Sequence, residues 1–311
     1  MKKLLLISLV SLLSACSNHA SISEAQPVST FYDYQLHSPK GQALTLNPLP
    51  QALLDADVIL VGEWHTHSGI HRFQTDLLQS LYQAGQPIVL SMEQFTRDNQ
   101  ELLNQYLAGE IGEQFLMKQA TAWPNYESDY RPLIEVAKSN QIDVIAANAP
   151  KQLVRCIGRK GLDYLEGLNE EQRQWVASNI DTSDSPYKEK FMASMHHGSP
   201  EQTKKQFAAQ VTWDETMAES ITQYLTKQPD AQILHIAGKF HTEGALGTAQ
   251  SILRRSPDLN VVVITPTSEI TQDSSDFQLE VLDPPARYIK KENRMQAYHS
   301  LSNRNRDLVC D

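Results

Sequence analysis

Along this chain, short runs of continuous apolar residues alternate with stretches in which apolar residues return every three or four positions. "DVILVGE" (57–63) is apolar up to a Gly-Glu end, the pattern of a strand covered on both faces. The stretch that follows carries Ile70, Phe73, Leu77 and Leu81 at helical spacing and stops at Gly85. The unit recurs: "PIVLSME" reads as a strand, "TRDNQELLNQYLAG" as a helix, and "IDVIAANAP", "AQILHIAGKFH" and "NVVVITP" as three more strands. Strands alternating with helices predict an α/β fold, a mostly parallel central sheet flanked by helices. Ahead of them, "FYDYQLHSPKGQALT" alternates apolar and polar positions around a Pro-Lys-Gly turn and predicts a small edge hairpin. From 150 to about 226 no run reads as a strand, while "KQLVRCIGRKGLDYL", "NEEQRQWVASNI" and "QFAAQVTWDETMAESITQYL" read as helical. This segment is expected to be a helical subdomain inserted into the α/β body.

The first residues do not belong to that pattern. "MKKLLLISLVSLLSAC" has a basic start, an apolar stretch too short to span a bilayer and a small-residue end, so residues 1–15 read as an export signal. "LSAC" resembles the bacterial lipobox, which makes Cys16 the acylated N-terminus of a lipoprotein. Several acyl chains hold a protein on a membrane stably where one does not. Ser17 is not the aspartate associated with inner-membrane retention, so the expected location is the periplasmic face of the outer membrane, with outer-membrane lipid as a partner. Residues 16–30 are poor in large apolar side chains and read as a flexible tether. One domain is expected over 31–311.

Charge and cysteines narrow the partners. Loss of Lys2 and Lys3 with the signal takes the formal net charge from −10 to −12, which makes nucleic acid an unfavourable partner. Beyond Cys16 the chain has only Cys156 and Cys310, in a compartment that permits a bridge between them without demanding one.

The strand ends carry the chemistry. Glu63 and His65 close the first long strand, Glu93 the next and Asn148 a third, and His241 lies just beyond a fourth. In open α/β sheets ligands bind at this carboxyl edge. Glu63, His65, Glu93 and His241 form a credible ligand set for Zn²⁺, Mn²⁺ or Fe²⁺, whose bound water could attack an amide or ester. The same residues could act without metal, a glutamate orienting a histidine base. His71, on the face that also holds Gln74, is placed to turn back toward this edge, whereas His67 lies before the helix cap and reads as a bystander.

A second cluster, "FMASMHHGSP", sets His196 and His197 beside Phe191, Met192 and Met195, and "WPNYESDYRPL" supplies Tyr126 and Tyr130. Haem iron is bound by histidine, tyrosine, methionine or cysteine in apolar pockets, so these residues hold the right atoms.

In this order and after a lipobox, "VGEWHTHSGIHRFQTDLL", "VLSMEQF", "YLAGEI", "DYRPLIEVAKSNQIDVIAANAPKQLVR" and "HIAGKFHTEGALG" resemble the ChaN-like family of haem-binding, iron-regulated bacterial lipoproteins, over about residues 57–266. That family sits in a superfamily with Tiki-type membrane metalloproteases and erythromycin esterase-like enzymes. The resemblance maps the shared polar site onto Glu63, His65, Glu93 and His241. It implies haem as cofactor, a role in haem or iron uptake beside an uptake receptor or periplasmic haem carrier, and a haem-linked homodimer. It also implies, as the rival activity, metal-dependent hydrolysis of a peptide or ester. Where the family pattern often has an aspartate after the first histidine this chain has Thr66, a departure that weakens the hydrolase side. No short family motif fixes the haem ligands. The expected set is His196, His197 and Tyr130, with His71 and Asn148 around the pocket.

Overall fold

The computed structural model describes residues 27–195, 199–303 and 308–310. The export signal, Cys16 and most of the tether lie outside these residues, as do His196 and His197. Among the described residues no helix is long and apolar enough to cross a membrane.

Eight strands form one sheet in the order β2-β1-β8-β7-β3-β6-β4-β5. Six of them, β3 (Val58–Glu63), β4 (Ile88–Thr96), β5 (Val144–Asn148), β6 (Gln232–Gly238), β7 (Val261–Thr267) and β8 (Phe277–Glu280), run parallel to their neighbours. The expected hairpin, β1 (Gln35–His37) with β2 (Ala43–Leu44), adds an antiparallel edge on β8. β8 was not expected: "FQLE" is short, polar at every second position and has no apolar run to announce it.

The apolar runs are long because both faces are covered. Ile59 and Val61 of β3 point into one core, with Leu234 and Ile236 of β6 and the Phe73, Leu77 and Leu81 stripe of the Ser68–Gln83 helix. Val58 and Leu60 point into the other, with Ile233 and Ala237. Successive strand side chains alternate faces, so each run feeds two cores at once.

The 150–226 segment is helical as expected, but it is not a body apart. The Lys151–Lys160 and Pro186–Ser194 helices pack into small clusters of their own around Leu153, Val176, Phe191 and Phe207. The 28-residue Pro200–Lys227 helix then runs from these clusters onto the sheet, where Met217, Ala218, Ile221 and Leu225 cover the second face. Its far half is thus a crossover helix leading into β6. Cys156 and Cys310 form a disulfide that fastens the chain's end to the Lys151–Lys160 helix. Between β8 and that bridge the chain passes Leu282 to Arg287 and forms the Lys291–Asn303 helix, whose described side chains are almost all exposed.

β3 and β6 lie side by side at the centre, although β4 and β5 come between them in the chain. After β3 the chain builds toward one edge, and β7 later returns to the other side of β3. That reversal opens a crevice at the carboxyl ends, which is where Glu63, Glu93 and the residues after Gly238 emerge.

Candidate functional site

Glu63 ends β3 with its side chain buried, and the surroundings are built to hold it ionised. Its Oε1 accepts hydrogen bonds from Tyr130 OH (2.7 Å), Gln94 Nε2 (3.0 Å) and His65 Nδ1 (2.8 Å); Oε2 accepts from Gln74 Nε2 (2.8 Å). Burial pushes the carboxyl up, but the His65 bond, the His71 and His65 charges and the Gln74 bond outweigh it and hold it below the ordinary glutamate range.

Each donor arrives for a local reason. His71 and Gln74, three apart in the first turns of the Ser68–Gln83 helix, face Glu63 together, and His71 Nδ1 bonds Gln74 Oε1 (2.9 Å). Tyr130 ends a π-helical turn, Tyr126–Tyr130, whose extra width also turns Asn125 onto the His65 carbonyl (2.5 Å). Gln94 and Glu93 are neighbours on β4, where regular alternation would send them to opposite faces. The ladder with β5 slips between Met92 and Thr96, so three residues of β4 oppose one of β5, and both side chains reach the site.

His65 lies just past β3. A carboxylate can only accept, so the bond to Glu63 puts the ring proton on Nδ1 and leaves the Nε2 lone pair outward in the neutral ring. The side chain is 45% exposed, and the Trp123 ring meets it edge-on at 5.0 Å. Its other side rests on Gly238: a Cβ there would lie 2.8 Å from His65 Cε1, so the ring fills space that a side chain at 238 would take. Burial lowers the His65 imidazole, but the Glu63 bond and the Glu93 and Glu63 charges raise it above the usual histidine value.

Across the crevice a second histidine has its own carboxylate. His241 sits not on a strand but on the helical turn Lys239–Thr242 that follows β6, and its Nδ1 bonds Asp214 Oδ1 (2.9 Å). Asp214 is fully buried and also accepts from Tyr187 OH (2.8 Å) and Thr248 Oγ1 (2.9 Å). Burial lowers the His241 imidazole, but Asp214 and then Glu93 raise it to about 9. Between the two histidines Glu93 accepts the Gly238 N–H (2.6 Å) at Oε2, with Oε1 3.8 Å from His241 Nε2.

The four residues expected from strand ends are therefore gathered, though not as a metal cage. Among the described residues no three carboxylate, imidazole or thiol groups converge to hold a metal ion. Glu63 is engaged by four side-chain donors instead of being open to a metal, so a divalent metal has no support in the described residues. Tyr130, expected as a haem ligand, is wholly buried. Burial first, and then the Glu63 charge, raise its hydroxyl far above the usual tyrosine value, and the hydroxyl donates to Glu63. Asn148 does not face the crevice; it ties β5 to β4 through the Glu93 carbonyl (3.1 Å) and caps Ala149 N. His67 bonds the Leu282 carbonyl (2.9 Å) and sits 5.8 Å from the Trp64 ring, so it braces the wall.

The crevice opens into a cleft of about 850 Å³, lined on its apolar side by Phe31, Trp64, Phe240, Pro284 and Pro285. Arg287, exposed at its mouth, makes no ion pair among the described residues.

The family model described as "Haem-binding uptake, Tiki superfamily, ChaN" matches residues 49–252, more than half of the chain. The chain belongs to this family. Its fold is that of the Campylobacter jejuni ChaN structure described as showing cofacial haem binding, with a TM-score of 0.62 at 17% identity over 83% of this chain and 100% of that one. A mutant erythromycin esterase in its open conformation is more distant, with a TM-score of 0.45 and 12% identity over 86% of each chain. A curated relative, the chloroplastic protein RETICULATA-RELATED 5 of Arabidopsis thaliana, is 27% identical over 100 residues, which is 32% of this chain and 13% of that protein.

In this ChaN-family chain the residues present fit the group the family implies. Haem asks for a slot with flat apolar walls, an axial donor from histidine, tyrosine, methionine or cysteine, and a cation for its carboxylates. The cleft offers aromatic and proline walls, the outward Nε2 of His65 and Arg287. The Pro186–Ser194 helix sets Phe191 edge-on, 6.2 Å from the cleft residue Phe240.

Several partners in the site escaped the sequence reading. Asp214 had a visible signal: it falls three residues after Val211 and four before Ala218, on the apolar stripe of a helix, where an unexplained carboxylate asks for a partner. Gln94, Trp123 and the 284–287 wall had none, because a bulge, a π-turn and a returning tail place them.

Proposed function

We propose that this protein binds haem in the periplasm and takes part in haem uptake, held at the outer membrane through acylated Cys16. The observation that carries the reading is the strand-end cleft, of haem-accommodating size and lined by aromatic rings and imidazoles, in a chain of the haem-binding ChaN family. The "LSAC" sequence supports the lipid anchor. Haem passes to or from an uptake receptor or a periplasmic carrier, and a pair of copies sharing haem is consistent with the cofacial arrangement named for the Campylobacter jejuni protein. Titrating the purified protein with ferric haem is expected to give a saturable, red-shifted Soret band that co-elutes with the protein. A spectrum that remains that of free haem refutes the reading.

A second reading is acid–base hydrolysis of an ester or amide, favoured by one observation: His65 and His241, each oriented by its own buried carboxylate, stand on either side of Glu93. It predicts slow turnover of activated esters that falls at least roughly 100-fold in His241→Asn, as expected for loss of a positioned acid or base. Equal turnover by variant and wild type sinks it.

A further inference from the structure

Among the described residues large apolar side chains are mostly buried, but a group of exposed ones gathers around one rim of the cleft. Tyr32, beside the cleft residue Phe31, is 66% exposed; Tyr288 and Ile289, directly after the cleft residue Arg287, are 49% and 87% exposed. Phe31, Pro284, Pro285 and Arg287 line one mouth, so the two segments meet there. The Lys291–Asn303 helix carries the same character outward. Its Lys291, Arg294, Met295 and Tyr298 fall at i, i+3, i+4 and i+7, share one face and are all exposed.

We propose that this rim, Tyr32 with residues 288–298, is a docking surface that rests on the anionic lipid bilayer to which Cys16 tethers the chain. The inference rests on the lipid-anchored part of the reading above and adds a second, non-covalent contact to it.

Three observations select lipid as the occupant. The first is charge. Between 284 and 298 the chain places Arg287, Lys290, Lys291 and Arg294 against Glu292 alone, a formal charge of +3 in a protein whose net charge is −10. Each lysine or arginine held at an anionic membrane surface adds to the affinity, and the attraction fades within a Debye length. An acidic protein has no general reason to approach such a surface, so the local reversal of sign orients it. A second copy of the chain suits the rim poorly, because a two-fold contact would bring two like-charged patches together.

The second observation is side-chain type. Tyrosine favours the headgroup layer, an isoleucine 87% exposed gains by leaving water, and lysine and arginine lay their stems along apolar surface while their charges stay wet. The third is the leash. Residues 17–30 are all that separates Cys16 from Phe31, a length that reaches about 50 Å at most. Acyl chains on Cys16 therefore hold this face near the bilayer at high effective concentration, where modest contacts suffice. Docked this way, the cleft mouth faces the lipid, so an apolar ligand can pass between bilayer and cleft without crossing open water.

The test is amide hydrogen exchange on the acylated full-length lipoprotein, in detergent, in phosphatidylcholine vesicles and in vesicles of phosphatidylethanolamine with phosphatidylglycerol. Exchange in peptides spanning 288–298 should slow at least roughly tenfold in the phosphatidylglycerol vesicles, less in phosphatidylcholine, and recover at high salt. The triple variant Lys290→Glu, Lys291→Glu, Arg294→Glu should abolish the slowing, with circular dichroism as a check of folding. Ile289→Ser should weaken it without changing its salt dependence. If wild type floats with the vesicles yet exchanges over 288–298 as it does in detergent, docking is overturned while the anchor stands. Slowing that persists in detergent and grows with protein concentration assigns the rim to a second copy and also overturns the proposal. If wild type floats with no vesicles and the mass of its N-terminal peptide shows an unacylated Cys16, the anchored reading beneath fails too.

Discussion

Replacing Glu63 with alanine is expected to lower the unfolding free energy by about 3–5 kcal/mol, the cost of breaking a buried ionic pair and leaving donors unpaired. The substitution removes the common acceptor of Tyr130, Gln94, Gln74 and His65, and three of those donors are buried away from water. Glu63→Gln keeps the shape but turns an NH₂ toward a cluster made of donors, so it should lose less than alanine and still be clearly destabilised. Urea melts of the two variants and wild type measure both effects. A loss below about 1 kcal/mol for alanine would mean that water replaces the carboxylate and that the cluster is not a rigid support for His65.

The second large effect is on the acid side. His235 lies in the middle of β6, between Leu60 of β3 and Ser91 of β4, fully buried, with Nδ1 on Ser91 Oγ (2.9 Å) and Nε2 without a partner among the described residues. Burial, and after it the His241 charge, pushes its imidazole down to about 3. The unfolded chain therefore takes up a proton near pH 6.5, while the folded protein does not until about pH 3, so this group erodes stability as pH falls through that window. At pH 4.5 the two-unit gap amounts to about 3 kcal/mol. Denaturant midpoints measured from pH 7 to 4.5 should fall steeply in wild type and more gently in His235→Leu. Parallel slopes would show that His235 is not held neutral.

Much of this was legible in the residues. The parallel strands declared themselves because both faces are covered, which makes "VILVG" and "ILHIAG" continuously apolar. β8 could not, since an edge-side strand with one polar face looks like loop. Glu63, His65, Glu93 and His241 were legible for a geometric reason: parallel strands deliver their carboxyl ends to one edge whatever the loops do. What those residues do to one another was not legible. A glutamate followed two residues later by a histidine reads equally as metal ligands or as a hydrogen-bonded pair, and only the donors converging on Glu63 decide between them. Tyr130 illustrates the same limit, because its residue type suits iron while the π-turn delivers it to a carboxylate. The 150–226 segment reads as helical but not as part of the sheet's cover, since a helix that serves two cores has no boundary in its pattern.

The disulfide has a consequence for how the molecule would come apart. The Lys291–Asn303 helix is the exposed stretch between the cleft wall at Pro284–Arg287 and the bridge at Cys310. A protease cutting there would sever the backbone without releasing the far piece, which stays bound through Cys156. The cut would instead free the cleft wall from its distant fastening, so nicked protein would keep its mass under oxidising conditions while its cleft loses a tethered side.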